Sequence, residues 1–281
     1  MTITMPSLRL PGGEAIPVLG QGTWQMAEHR ARRAEEIKAL QTGVDLGMTL
    51  IDTAEMYGSG AAEELIGEAF ADRRHEIFLV SKVLPENATR RGTIAACERS
   101  LKRLRTDRLD LYLLHWPGSV PLAETLEGFE ALIKAGSIRH WGVSNFDVDD
   151  MEELIALPGG KAVATNQVLF NLTRRGIESD LIPWARKFGM PLMAYSPIEQ
   201  GRLLHHPALE KIAQRLLATP VQVALAWLCQ QPCVCAIPKA GTRQHVIENH
   251  AALKLRLSPQ DMTALDSAFP PPKRKTPLEM I

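Results

Sequence analysis

Short apolar, β-branched runs recur about every 30 residues along this chain, and a turn signal and a helical pattern follow most of them. The runs that read as strands are TLID (49–52), IFLVSKV (77–83), LDLYLLH (109–115), IRHWGVS (138–144), AVATNQV (162–168), PLMAY (191–195) and VCAIP (234–238). An earlier one lies within IPVLGQGT (16–23). Polar residues that end or closely follow seven of them are Asp52, Lys82, His115, Asn145, Gln167, Tyr195 and Lys239, at gaps of 30, 33, 30, 22, 28 and 44 residues. A strand–helix unit occupies about 30 residues, so eight strands with intervening helices predict a (β/α)8 barrel.

The helical patterns agree. Ile37, Leu40 and Val44 repeat at helical spacing and Gly47 closes them. Ile94, Cys97, Leu101 and Leu104 repeat before the fourth strand, and Leu122, Leu126, Phe129 and Ile133 after it, with Gly136 as a stop. Thr219-Pro220 is a cap followed by a first-turn proline, opening VQVALAWL. Near the N-terminus, Leu8 to Glu14 reads as half of a β-hairpin turning at Gly12-Gly13. A doubly wound open sheet is the competing architecture. It wants G-x-G-x-x-G after its first strand, and Gly20-Gln21-Gly22-Thr23 breaks that pattern.

The 281 residues suit one large α/β domain spanning 1–281. With 32 basic against 32 acidic residues, the chain lacks the electrostatic footprint of a duplex nucleic-acid binder. No stretch approaches the ~18 apolar residues of a membrane span. Met1 to Pro6 shows no basic segment followed by an apolar one, so a cytoplasmic protein is expected, and with no exposed apolar stripe in the pattern a monomer is expected. Cys229, Cys233 and Cys235 have C-x3-C-x-C spacing, which matches no zinc or thioredoxin motif; with Cys97 they read as reduced, small apolar residues, and no metal site is expected.

Side chains alternate across a strand, so Leu109, Leu111, Leu113 and His115 share a face, as do Phe78, Val80 and Lys82, and Leu50 and Asp52. Three apolar stripes thus end in an acid, a base and an imidazole. In a barrel such ends converge on the mouth where active sites form. Tyr57, in the loop DTAEMYGSG, adds a hydroxyl. Lys82 is expected to favour its phenolate and so lower its pKa, with Asp52 holding the lysine protonated and His115 meeting a substrate oxygen. Glu63 and Glu64 are adjacent carboxylates, but their phase in GAAEELIGEAF reads as a solvated first helical turn.

DTAEMYG, FLVSKV, LDLYLLHWP, WGVSNF, TNQV, AYSP and IPKAGTRQHVIEN occur in this order over almost the whole chain. Together they resemble the signatures of the aldo-keto reductases, and most those of bacterial members that reduce small reactive aldehydes such as methylglyoxal. The resemblance implies a (β/α)8 barrel whose bottom the hairpin caps, and a nicotinamide cofactor bound without a Rossmann fold. It implies Asp52, Tyr57, Lys82 and His115 as the catalytic tetrad, with Tyr57 the general acid. Ser144, Asn145 and Gln167 match the groups that fix the nicotinamide carboxamide, beside Asp52, and Tyr195 matches the aromatic stacked on its ring. Gly22, Thr23 and Trp24 match the first loop, and Ser196, Ile198 and Gly201 the loop over the pyrophosphate. Glu248 and Asn249 match the pair that holds the adenine amine.

The 2′-phosphate end departs from the family pattern. Members that prefer NADPH show Lys-Ser, with an Arg six residues after the Lys. Here Lys239 remains, Ala240 replaces the Ser and His245 stands at the Arg position, with Arg243 two residues before it. A hydroxyl and a bidentate donor are lost. NADP(H) is expected to be favoured with a weakened preference, leaving NAD(H) usable. A pocket edged by Trp24, Leu84 and Trp116, with only eleven residues after Pro270, suggests an open mouth for small carbonyl compounds. Two rival readings are a barrel enzyme of another reaction class and a cofactor-binding regulatory subunit with little turnover.

Overall fold

The structure, a computed structural model, describes residues 5–281. Met1–Thr4, part of the stretch read above for a leader, lie outside the described residues. The chain opens with β1 (Ser7–Arg9) and β2 (Ala15–Pro17), an antiparallel hairpin that pairs Ser7 with Pro17 and Leu8 with Ile16. Gly13 takes φ +88°, left-handed backbone that favours glycine, where Leu10 and Glu14 close the turn. The expected strand at 16–23 is therefore divided. Its first residues return along the hairpin, and only β3 (Gln21–Gly22) remains for the barrel.

β4 (Leu50–Asp52), β5 (Phe78–Val83), β6 (Leu109–Leu114), β7 (Ile138–Ser144), β8 (Asn166–Leu169), β9 (Leu192–Tyr195) and β10 (Val234–Ala236) follow β3 in parallel, each beside its sequence neighbour. Bridges Leu19–Ala236 and Gly22–Lys239 join the first strand to the last and close the ring. Gly22 is required there, because a β-carbon would stand 2.7 Å from the Ile237 carbonyl oxygen. The expected strand at 162–168 is shorter than read; residues 160–162 form a helical turn.

Leu50, Phe78, Val80, Leu111 and Leu113 fill the barrel interior, as alternation predicts, together with Met193 and Cys235. Ile51, Leu79, Tyr112 and Leu114 point the other way, into the layer beneath the helices. Leu109 departs from its expected stripe and joins that outer layer. It opens β6 at the lower rim, where the hairpin's Leu10 and Ile16 already plug the interior. Glu14 fastens this plug to β7, 2.7 Å from His140 and 2.8 Å from Arg139.

The helices sit where the sequence signals put them. α1 (Arg33–Asp45) buries Leu40 and Val44, and α2 (Ala61–Ala69) follows the Tyr57 loop. α3 (Arg90–Leu104) is capped by Thr89, and α4 (Leu122–Lys134) covers its neighbour. Ile133 of α4 is 40% exposed rather than inward, while Leu132 is buried, because the apolar stripe drifts by one position in the last turn. α5 (Val148–Ala156), α6 (Leu181–Lys187) and α7 (Pro207–Arg215) continue the layer. Thr219 and Gln222 form a capping box at the head of α8 (Pro220–Cys229), and α9 (Arg243–Ala251) and α10 (Pro259–Ala268) complete it. No single helix among the described residues is long and apolar enough to cross a membrane.

Candidate active site

The carboxyl ends of β4, β5 and β6 bring Asp52, Lys82 and His115 together at the top of the barrel. The Lys82 side chain is fully buried, and its ammonium spends all three protons on protein acceptors. It donates to Asp52 Oδ2 at 2.8 Å, to the Thr53 carbonyl at 2.9 Å and to the Tyr57 hydroxyl at 3.2 Å. Burial alone would discharge the lysine, but Asp52 and Tyr57 outweigh that cost and raise its pKa, so it stays an ammonium. Asp52 is anchored from the far wall as well: Gln167 Nε2 donates to its Oδ1 at 2.7 Å.

Tyr57 reaches the cluster from the loop after β4. Gly58, Ser59 and Gly60 take positive φ there, folding the loop back across the mouth. Its pKa runs against the expectation stated above. Burial raises it, and the Lys82 ammonium only partly offsets that rise while Asp52 adds to it. At neutral pH Tyr57 is therefore fully protonated, a proton store rather than a phenolate. His115 completes the group with its ring edge-on to Tyr57, 5.9 Å between centroids. Burial and the nearby Lys82 ammonium push its pKa down to about 2, so the imidazole is neutral. Its Nδ1 is buried without a hydrogen-bond partner.

Above these groups opens a cavity of about 690 Å³, within the usual range for small-molecule sites. On one wall Ser144 donates to the Gln167 carbonyl at 2.8 Å, and Asn145 donates to the His115 carbonyl and to Ser144 Oγ at 3.1 Å each. Asn145 adopts φ +60°, uncommon outside glycine, and the Tyr195 hydroxyl donates to its Oδ1 at 2.9 Å. Gly22, Thr23, Trp24, Ser196, Ile198, Gly201 and Lys239 also line the cavity, as does Trp116. Leu84 does not line it. That residue is half-buried at the foot of the next loop, where its N–H donates to Glu55 Oε1 at 2.9 Å and so turns the segment away. Arg243, His245, Glu248 and Asn249 lie beyond the lining, on the first two turns of α9. Arg243 and His245 are exposed there and Asn249 is buried.

Sequence reasoning missed part of the wall. Met280 and Ile281 line the cavity, so the tail forms part of its wall. Arg174 holds it, contacting Glu279 at 2.6 Å and Glu199 of the 196–201 loop at 3.0 Å. No periodic signal marks so irregular a segment. Glu63 is the second correction. It is fully buried, accepting from Ser81 at 2.6 Å and from Arg103 at 2.6 Å, instead of standing in solvent. Its signal lay in partners remote in sequence.

The donor set fits a nicotinamide dinucleotide. Ser144, Asn145 and Gln167 are at most 9% exposed yet line the cavity, a fixed polar wall whose amide and hydroxyl chemistry matches a carboxamide rather than an apolar ligand. At the opposite rim Lys239 is exposed and forms no ion pair among the described residues, which leaves its charge free for a phosphate.

Comparison with known proteins agrees with this geometry. The sequence profile of the Aldo/keto reductase family matches residues 18–269. The chain is 50% identical over 279 residues to methylglyoxal reductase YeaE of Escherichia coli (strain K12), covering 98% of each. It is 36% identical over 264 residues to glyoxal reductase of Bacillus subtilis (strain 168), covering 93% of this chain and 92% of the relative. A crystal structure of an aldo-keto reductase from Klebsiella pneumoniae in complex with NADPH superposes with a TM-score of 0.97 at 47% identity. That match covers 99% of this chain and all of the other.

Proposed function

The chain belongs to the aldo/keto reductase family, and we propose that it reduces small aldehydes and α-dicarbonyls of the methylglyoxal type to alcohols with NADP(H). The observation that carries this reading is the Lys82 ammonium, held at once by Asp52 and the Tyr57 hydroxyl beneath the cavity. NADPH supplies the hydride when bound. Ser144, Asn145 and Gln167 are suited to its carboxamide, the Tyr195 ring to its nicotinamide face, and Lys239 to its 2′-phosphate.

Tyr57 gives its proton to the carbonyl oxygen. A raised pKa does not prevent this, because the alkoxide forming on that oxygen is far more basic than a phenolate. Lys82 then stabilises the phenolate left behind across a 3.2 Å contact, in a site with little water to weaken the charge. Asp52 acts through Lys82, keeping it charged and aimed. Neutral His115 orients the substrate oxygen without competing for the proton. Trp24, Trp116, Met280 and Ile281 give the pocket apolar walls that exclude few small carbonyl compounds.

The four cysteines are free thiols, in keeping with a reducing cytoplasm. The second reading, a cofactor-holding subunit with little turnover, gains no support, since the relatives above are named for reductase activity. NADPH consumption across a carbonyl panel tests the proposal. Small α-dicarbonyls are expected to turn over more efficiently than hexoses, and equal rates on both refute the substrate class.

A further inference from the structure

Glu36 of α1 is a carboxylate that neither the fold nor the reaction explains in full. It is 3% exposed. Its Oε2 accepts the Ala27 N–H at 2.9 Å, fastening a loop in which Gln25 and Ala27 hold φ of +60° and +64°. That loop carries Trp24 and Gln25 to the cavity wall. One uncharged oxygen is enough to pin such a loop, and a glutamine supplies it. The charge therefore wants a separate account.

The other carboxylate oxygen lies on the side of Gly241 and Lys239. A β-carbon on Gly241 would stand 3.9 Å from Glu36 Oε1 and 3.7 Å from Lys239 Nζ. Carboxylate and ammonium thus flank the same stretch of backbone without forming an ion pair with each other. Lys239 is the cation we assign to the 2′-phosphate. The supporting groups are thin, with Ala240 and His245 in place of a hydroxyl and an arginine. Behind this weakened cation site sits a buried negative charge, where salt screens poorly.

We propose that Glu36 is a specificity-determining residue: its charge opposes a phosphate held at Lys239 and so lowers the preference for NADPH over NADH. The inference rests on the NADP(H) reading of the cavity. A phosphate monoester carries close to two negative charges and the bare ribose hydroxyl none, so the effect falls on one dinucleotide only. In a water-accessible subsite one such charge pair is worth about fivefold in affinity.

Calorimetric titration of the full chain with NADPH and with NADH tests the idea without turnover. Glu36→Gln keeps the acceptor for Ala27 and removes the charge. It is expected to tighten NADPH about fivefold and to leave NADH within about twofold. Glu36→Met, equally long and neutral, reports the same rise in the affinity ratio even if loosening of the loop weakens both ligands. An unchanged ratio in both variants overturns the proposal while the cofactor reading stands. A wild-type chain that binds neither dinucleotide overturns both.

Discussion

His115 offers a prediction whose size follows from the structure. Its ring is 8% exposed, its Nδ1 has no partner, and the Lys82 ammonium stands close by, so its pKa falls to about 2. An imidazole in the unfolded chain titrates near 6.5. The folded value is depressed, so the stability it contributes is full above pH 6.5 and drains away as pH falls toward 2. At pH 5 the unfolded state has taken up a proton that the folded state refuses, a cost of about 2 kcal/mol relative to neutral pH. Urea unfolding of wild type and His115→Asn at pH 7.5 and pH 5 isolates this cost, because every other titrating group is common to both proteins. The wild type is expected to lose about 2 kcal/mol more than the variant between the two pH values. Equal losses would show that His115 takes up its proton as readily in the folded protein as in the unfolded chain, which refutes the burial-depressed imidazole.

Other consequences are open to measurement. Lys82 and Tyr57 both titrate above their ordinary values, so the stability they contribute is intact below pH about 10 and lost as pH rises further. Melting temperatures from pH 8 to 11.5 should bend downward only above that point, and an equally steep fall between pH 8 and 9.5 contradicts the assignment. Glu63→Ala leaves Arg103 and Ser81 without their buried acceptor and is expected to cost about 3 kcal/mol in thermal or urea unfolding. Glu64→Ala, on the exposed side of the same turn, should be nearly silent, and equal effects of the two changes would refute the packing described. Lys239→Met should weaken NADPH about tenfold and NADH little; equal weakening of both would remove the 2′-phosphate assignment.

How far the site was legible in the sequence depends on what fixes each part. Asp52, Lys82 and His115 sit at strand ends, where a period of two decides which side chains share a face, so local pattern placed them correctly. The same pattern could not divide 16–23 between hairpin and barrel, because the two strands there are three and two residues long, too short to show a period of two. The direction of the Tyr57 shift was misread because an adjacent ammonium is visible in sequence while burial is not. Glu63 was given to solvent by its helical phase; its partners, Ser81 and Arg103, lie on other elements. Met280 and Ile281 reach the cavity along an irregular tail held by single ion pairs, which leave no periodic trace.

The central claim is that the Tyr57 hydroxyl supplies the proton. Tyr57→Phe keeps the ring and removes only that group, so the most direct measurement is NADPH oxidation by wild type and variant with a small α-dicarbonyl, after NADPH binding has been shown equal by titration. The account predicts a turnover lower by at least about 100-fold, the usual contribution of a positioned general acid, with cofactor affinity unchanged. A variant that turns over within a few-fold of wild type would contradict it.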